Sequence, residues 1–473
     1  MSVPDPPSPS PDPMPPPQSP LTALPPDTRR WRYRVRTKLP AAQRFRVRPT
    51  PPAARALRVL ELPAFWILCL LIGLSAWRLA MMLQSPLVRF PYATITAIAL
   101  FALWAIPFWL FILAMDFLER EPPLLLATAF AWGAIVATMA AMPSNRALLG
   151  LTAKVVSPDF AIVWGPAITG PAIEELLKAL GLVMIVLVAR RQINSVLDGM
   201  IYGALIGLGF QVVENIFYAL NAVEMANEGD TAIPVVATFF LRGFLAGLWS
   251  HALFSALAGA GVAWFIVRTE QPPAMRWGGL IVGLWLAWGT HFIWNSPLLM
   301  DGTGVSTGGL LIGLLFKGLP ALLLAIGLLW VARNREAHYY VDRLQALNDP
   351  EIATPGELST LRVGHLRADA RRYGRFRAGS RGRHAVKALQ RAQARFAVEL
   401  SRAPSGLVNG DAVVMHSLDD VLACRKRMMV LAHPEGIPSP RRPVIPRNVA
   451  TVTAVAIILF GLVWFAVCML RGA

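Results

Sequence analysis

Six polar side chains lie inside hydrophobic segments of this chain, where a helix that crosses a bilayer normally carries none. They are three carboxylates, two imidazoles and one amide: Glu174, Glu175, Glu214, His251, His291 and Asn295. A charge near the bilayer interior costs at least ~2.5–3.5 kcal/mol, and intramembrane charges therefore usually serve a function. Groups of these types can activate water, hold a metal ion or relay protons. The sequence predicts one polar site that four segments share.

Residue spacing places these polar groups on common helix faces. Glu174 and Lys178 are four residues apart, so they can form an ion pair on one face. His291 and Asn295 are also four apart, so the imidazole and the amide can face one cavity. Both spacings favour helices that present their polar groups on the same side.

Two further features concern neighbours of these residues. Gly203 and Gly207 lie one turn apart on the segment of Glu214, which predicts close contact with another helix. Arg242, just before the segment of His251, is interpreted either as an interfacial residue or as a substrate contact.

The elements that must position these groups are membrane-spanning helices. Hydrophobic residues make up 55% of the chain, charged residues 15%, and the mean hydropathy is +0.50, whereas soluble domains are about 25% charged. We predict an all-α polytopic integral membrane protein with about nine transmembrane helices, eight in a core and one C-terminal. The predicted spans lie near 60–81, 92–115, 123–142, 171–189, 197–220, 245–267, 277–298, 309–332 and 447–469. Short apolar pieces at 158–168 and 232–242 are expected to be half-helices or interfacial helices.

Charge distribution predicts the orientation of these helices. The net charge of +17 is concentrated in residues 29–58, in two turns and in residues 333–446, whereas the opposite loops are acidic or lack basic residues. Arg146 and Lys154, in an outer loop, are the exception. The positive-inside rule places the N-terminus in the cytoplasm and the C-terminus outside, in a multi-pass protein of the plasma membrane. Anionic lipid accounts for the basic charge, and nucleic acid is not an expected partner.

Counting along the helices predicts the depth of the polar groups. At ~1.5 Å per residue, Glu175, Glu214, His251 and His291 each lie roughly 22–25 Å above the inner face. Helices of alternating direction therefore deliver their polar groups to one level. That level is in the outer half of the bilayer.

Composition divides the chain into four parts. Residues 1–59 are a disordered, Pro-rich and basic cytoplasmic tail, and residues 60–333 form the membrane core. Residues 334–446 are expected to be a basic helical cytoplasmic insert, followed by a C-terminal transmembrane helix in 447–473. No cleavable signal peptide is expected, and the three cysteines are too scattered to form a zinc or disulfide framework.

The motifs of the membrane core resemble those of the PrsW family of intramembrane proteases. Residues 174–178 (EELLK) resemble the EExxK motif of that family, and residues 210–215 (FQVVEN) resemble its FxxxEN motif. His251 and residues 291–295 (HFIWN) are similar to its two histidine-bearing motifs, and residues 116–122 to its acidic upstream turn. The resemblance covers about residues 60–333. It implies a relation to CAAX prenyl endopeptidase-type membrane proteases.

The resemblance implies peptide hydrolysis in a single-span membrane protein, such as an anti-sigma factor. Our hypothesis is a glutamate-activated water, with histidine and asparagine N–H groups stabilising the oxyanion. The base is Glu174 or Glu175, His251 positions the water, and the oxyanion donors are His291 and Asn295. Lys178 holds the neighbouring carboxylate ionised, and Glu214 completes the network or binds water. This mechanism needs no cofactor.

Two alternatives remain open at the level of sequence. Glu175, His251 and His291 can instead ligate one zinc ion, although no HExxH helix is present. The same residues can also form a transporter or proton pathway. The absence of a clear inverted repeat, and the single level of the polar groups, favour a protease.

Overall fold

A computed structural model of the chain describes residues 59–115, 121–245, 250–297, 307–402, 412–433 and 435–439. All regular secondary structure in these ranges is helical, which agrees with the predicted all-α class. The described residues form two compact units, 59–339 and 340–439. Residues 1–58 of the predicted N-terminal tail, residues 116–120 of the acidic turn and the C-terminal span lie outside the described residues.

The first unit contains the helices that carry the polar residues. Its helices are α1 (Pro63–Arg89), α2 (Pro91–Met115), α3 (Pro123–Ala131), α4 (Thr138–Val155), α5 (Pro158–Ala189), α6 (Val196–Ala226), α7 (Ile233–Thr238), α8 (Ser250–Val267), α9 (Pro273–Asn295) and α10 (Thr307–Leu347), of which α10 also supplies the first residues of the second unit. A π-helical segment, Trp132–Ala137, joins α3 to α4, and another, Phe239–Leu245, follows α7.

Within the described residues, six helical stretches are long and apolar enough to cross a membrane. They are Pro63–Arg89, Pro91–Met115, Pro123–Val155, Val196–Ala226, Ser250–Val267 and Phe316–Leu347. The chain is therefore a polytopic membrane protein. The spans predicted at 171–189 and 277–298 correspond to α5 and α9, and both helices contain polar residues of the predicted site.

The short helix predicted at 158–168 is not a separate element. It is continuous with the span predicted at 171–189, and together they form the 32-residue helix α5. Its start is fixed by Ser157, whose hydroxyl accepts a hydrogen bond from the backbone N–H of Phe160. Pro166 and Pro171 both lie inside α5, so proline did not mark a helix boundary here.

Helix α6 lies at the centre of the first unit and packs closely against α8. A side chain at Gly203 would place its Cβ 2.2 Å from the backbone oxygen of Ser255, and one at Gly207 would come within 2.1 Å of the oxygen of His251. Only glycine fits at these two positions. The close contact predicted from the small residues is therefore present, and it sets the backbone of His251 directly against α6.

The second unit contains three helices beyond α10. They are α11 (Pro355–Arg362), α12 (Gly364–Arg402) and α13 (Ala412–Val430), and α12 is broken at Ala378 and Gly379, where Gly379 has φ +61°. The left-handed backbone at Gly379 turns the chain between the two halves of α12.

A buried ion pair holds the second unit together. The carboxylate of Glu357 accepts hydrogen bonds from Arg425 (2.6 Å), Gln393 (2.9 Å) and the backbone N–H of Gly436 (2.9 Å). Glu357 also forms a capping box with Thr354 at the start of α11. One carboxylate thus joins α11, α12, α13 and the segment after α13.

The contact at Gly203 yields the first testable prediction. Gly203→Ala should lower the stability of the first unit by about 1–3 kcal/mol, because the new methyl group overlaps a backbone oxygen. Gly278→Ala in α9 is the matched control, since its methyl group would meet no atom within 4 Å. Thermal unfolding of the purified full-length protein measures both. A Gly203→Ala protein as stable as the Gly278→Ala protein would contradict the packing described.

A second prediction concerns Glu357. Glu357→Gln should leave Arg425 buried without its counter-ion and cost about 3–5 kcal/mol, seen as faster hydrogen exchange in α11–α13 of the full-length protein. Asp420→Asn, which breaks the exposed 3.3 Å pair with Arg395, is the control and should cost about 1 kcal/mol at most. Unchanged exchange after Glu357→Gln would show that this ion pair does not hold the unit together.

Candidate active site

The structure brings all seven residues of the sequence-predicted site into one network. They come from four helices: α5 supplies Glu174, Glu175 and Lys178, α6 supplies Glu214, α8 supplies His251, and α9 supplies His291 and Asn295. Five of the seven make a hydrogen bond to another member on a different helix, whereas Glu174 pairs with Lys178 and Asn295 bonds to His291, each on its own helix.

Lys178 lies at the centre of this network and is almost completely buried. Its Nζ donates to Oε1 of Glu175 at 2.8 Å and to Nδ1 of His251 at 2.9 Å, and it lies 3.5 Å from Oε2 of Glu174. The ammonium also lies 4.0 Å from the centre of the Phe210 ring, a cation–π contact. Each face of the buried charge therefore meets a carboxylate, an imidazole nitrogen or a π-system.

The partners of His251 assign its tautomer. An ammonium group can only donate, so Nδ1 of His251 accepts from Lys178. Nε2 then carries the proton and donates to Oε2 of Glu214 at 3.0 Å. His251 is therefore a neutral bridge between Lys178 and Glu214.

His291 has the opposite tautomer. Its Nδ1 lies 2.9 Å from Oε1 of Glu175, whose ion pair with Lys178 keeps that carboxylate an acceptor, so Nδ1 donates. Ser255 donates to the other oxygen of Glu175 at 3.3 Å. Nε2 of His291 is then an acceptor, and the amide of Asn295 donates to it at 3.2 Å. Glu175 thus fixes the tautomer of His291 and leaves its Nε2 an acceptor.

Glu174 has one bonded and one open oxygen. Oε1 accepts a hydrogen bond of 2.9 Å from the side-chain amide of Asn145 on α4. Oε2 is buried and has no hydrogen-bond partner among the described residues, although Nζ of Lys178 is 3.5 Å away, Nε2 of His291 3.9 Å and Nδ1 of His251 4.0 Å. A buried carboxylate oxygen without a donor indicates a position for a proton, a water or a cation.

Two residues of the site were not assigned to it from the sequence. Asn145 gave no signal, because the predicted span ended at residue 142 and placed it in an outer loop, whereas the structure places it inside α4. Arg242 was interpreted as interfacial or as a substrate contact, but its guanidinium donates to Glu214 at 2.7 Å and to Asn215 at 2.8 Å. It also stacks on Tyr218, with 3.6 Å between Cζ and the ring centre. The available signal for Arg242 was its charge inside an apolar segment, close in sequence to the segment of Glu214.

A cavity of about 300 Å³ lies beside Glu174. It is lined by side chains of the network and by others outside it: Asn145, Arg146, Leu149, Pro166, Thr169, Gly170, Glu174, Glu214, Tyr218, Arg242, Ser250, His251, His291, Trp294 and Asn295. Glu175 and Lys178 do not line it. The cavity can therefore admit a small segment of a ligand to Glu174 and His291. Glu175 bonds to His291, and Lys178 pairs with Glu174, outside the cavity lining.

Comparison with known proteins identifies this arrangement. Residues 121–326 match the sequence model of the PrsW family intramembrane metalloproteases, and this range contains all seven residues. Residues 121–326 form a PrsW family protease domain. The chain is therefore a multi-pass membrane hydrolase whose substrates are proteins. The match does not include α1 and α2, so it is shorter than the resemblance expected over about 60–333. Searches of the curated proteins and of the solved structures find no significant match.

A metalloprotease family implies a metal ion, and the side chains of the PrsW domain fit one. One donor atom each from Glu174, His251 and His291 lies within 4.8 Å of the others, and all three residues are buried. The open Oε2 of Glu174 is the best-placed ligand atom. Glu175 was the carboxylate predicted from the sequence as a zinc ligand. In the structure Glu174 converges with the imidazoles instead. Glu175 is already bonded to Lys178, Ser255 and Nδ1 of His291.

The bond from Asn145 to Glu174 leads to a third prediction. Asn145→Ala should lower kcat/KM for a single-span reporter about tenfold to a hundredfold, because Glu174 loses the donor that orients its carboxylate. Ser144→Ala is the matched control, since its hydroxyl bonds only to the carbonyl of Ala140 on its own helix. Equal activity of the two variants would show that Asn145 does not orient Glu174.

Proposed function

We propose that this PrsW family protease hydrolyses a peptide bond of a single-span membrane protein near the outer leaflet, at the cavity of Glu174. One observation carries the proposal: Oε2 of Glu174, which accepts no hydrogen bond from the described residues, and the acceptor Nε2 of His291 lie 3.9 Å apart, on two residues that line the cavity. This arrangement fits a site that binds water and removes its proton. A site built only for helix packing would instead be expected to supply a donor to Oε2.

Hydrolysis adds water across the C–N bond. The oxygen of the water adds to the carbonyl carbon, the C–N bond breaks, and a proton reaches the leaving amine nitrogen. Glu174 is placed to accept the proton from the water at Oε2 and to pass it to the amine. Asn145 holds the carboxylate through Oε1, so that Oε2 stays directed at the cavity.

The oxyanion donor that we propose is Asn295 alone. From the sequence, His291 was expected to share this role, but its cavity-facing nitrogen is an acceptor in the tautomer that Glu175 imposes. The amide of Asn295 now donates to that nitrogen at 3.2 Å and to the carbonyl of Pro166 at 3.2 Å. Turning one N–H towards the substrate would stabilise the developing oxyanion.

Glu174, His251 and His291 are the residues that would hold a metal ion. A bound zinc ion would lower the pKa of its water and polarise the carbonyl group. Nδ1 of His251 accepts from Lys178, so Lys178 must release this nitrogen before His251 can ligate through it. Glu175 would keep His291 in the tautomer that ligates through Nε2. Proton acceptance by Oε2 and ligation by Oε2 are alternatives that a metal measurement separates.

The outward opening of the site rests on proposed topology. If α5 and α9 also cross the membrane, the described core has eight crossings, and the N-terminus and residues 340–439 share the cytoplasmic side. Both helices are long enough, at about 48 and 35 Å for ~1.5 Å per residue. Asn295 is then the last residue at the outer end of α9, with His291 one turn deeper.

The fourth prediction tests the role of Glu174. Glu174→Gln should lower the cleavage of single-span reporters by about 10²–10⁴-fold, since the base is lost while the shape is kept. Glu224→Gln is the control. It removes an exposed charge that is paired with Arg89, and it should retain full activity. Cleavage by the Glu174→Gln protein at the wild-type rate would refute the proposed site.

Metal analysis of the same proteins separates the two mechanisms. One equivalent of zinc in the wild type, lost in His251→Ala and His291→Ala but kept in His338→Ala, would assign the metal to this site. His338 is a suitable control because it is exposed and bonds within α10. Full cleavage by metal-depleted protein would instead assign the chemistry to Glu174 as a general base.

A further inference from the structure

The cavity is lined by a positively charged side chain that the proposed chemistry does not use. Arg146 lines the cavity together with Glu174 and His291, and its side chain is exposed. Among the described residues it has no ion-pair or hydrogen-bond partner. Arg242, the other arginine of the lining, is instead bound by Glu214 and Asn215. Arg146 is therefore the cation of this cavity that remains available to a ligand.

The position of Arg146 relative to the reacting groups is fixed by α4. The preceding residue, Asn145, bonds to Glu174, and Leu149, one turn further along the helix, also lines the cavity. Leu149 packs closely on α5, because a Cβ at Gly165 would lie 2.2 Å from its Cδ1. The turn of α4 that carries Arg146 is thus held against the helix that carries Glu174.

The distribution of charge along the chain makes Arg146 unusual. Arg146 and Lys154 lie in the one outer region whose basic residues depart from the positive-inside pattern. A basic residue there does not serve orientation. Lys154 lies at the last turn of α4, where a cation stabilises the helix dipole, but Arg146 lies inside the helix. Its position is explained if it binds an anion in the cavity.

We propose that Arg146 selects substrates with an acidic side chain, aspartate or glutamate, next to the bond that is cut. This inference rests on the proposed function, because it assumes that the substrate enters the cavity of Glu174. The guanidinium can bind a carboxylate through two parallel hydrogen bonds, which fixes the substrate segment in one orientation. Its positive charge also offsets the repulsion that an acidic substrate would meet at Glu174 and Glu214.

The test uses a set of single-span reporters that differ at one position. Each carries aspartate, alanine or lysine at successive positions of its outer juxtamembrane segment, and initial cleavage rates are compared with purified full-length protein. The wild type should cut the best aspartate reporter about five to ten times faster than the alanine reporter. In Arg146→Ala this ratio should fall to about one, and in Arg146→Glu the lysine reporter should be preferred.

Lys154→Glu is the matched control, with the same change of charge two turns along α4 at an exposed residue that does not line the cavity. It should keep the wild-type preference for aspartate. Equal wild-type rates for all reporters, or the same loss of preference in Lys154→Glu, would overturn the inference. If the wild type cuts all reporters equally and Glu174→Gln abolishes this cleavage, the proposed function stands and only the inference about Arg146 fails.

A binding measurement tests the inference independently of cleavage. Fluorescently labelled reporters are titrated with the Glu174→Gln protein, which should bind the aspartate reporter more tightly than the alanine reporter. Adding Arg146→Ala to Glu174→Gln should remove that difference. Equal binding of the two reporters before this second substitution would overturn the inference, whether or not any reporter is cut.

Discussion

The ammonium group of Lys178 joins the polar side chains of three helices inside the protein. It donates to Glu175 on its own helix and to His251 on α8, and Glu175 in turn accepts from His291 on α9. Burying a charge in an apolar interior is costly unless it is paired and hydrogen-bonded. Removing Lys178 would leave buried carboxylates uncompensated, so the positions of both histidines depend on this one group.

The charges of the network do not cancel. Glu174, Glu175 and Glu214 are opposed by Lys178 and Arg242, and the tautomers of both histidines are neutral. Oε2 of Glu174 lies 3.5 Å from the ammonium of Lys178 but accepts no hydrogen bond from the described residues. A cluster arranged in this way has a place for one more positive charge, which either a proton from water or a metal ion can supply. The catalytic proposal and the metal fit therefore follow from the same imbalance.

Close packing makes this network possible in a membrane protein. Glycines on α6 bring the backbone of α8 into contact, so that His251 reaches Lys178 on one side and Glu214 on the other. With larger residues the helices would separate, and water or lipid would face the charges. The stability of the helix packing and the geometry of the site are thus linked through Gly203 and Gly207.

Much of the site could be predicted from the sequence, because its signals are local. Costly intramembrane charges, helical spacing and the small residues on α6 predicted which groups meet. The division of roles between Glu174 and Glu175 could not be predicted, since adjacent residues on a helix face different neighbours only after packing. The partners of Asn145 and Arg242 depend on contacts between helices far apart in sequence. The continuity of α5 was not predicted, and the helix accommodates both Pro166 and Pro171.

A double-mutant cycle on Lys178 and Glu175 tests this account most directly. Thermal unfolding is measured for wild type, Lys178→Met, Glu175→Gln and the double variant, together with reporter cleavage. Each single variant should be strongly destabilised, and the double variant should lose less than the sum, with a coupling of about 1–3 kcal/mol. It should nevertheless remain inactive, because His291 has lost the carboxylate that orients it. Additive losses of stability, or an active double variant, would contradict the central role given to this ion pair.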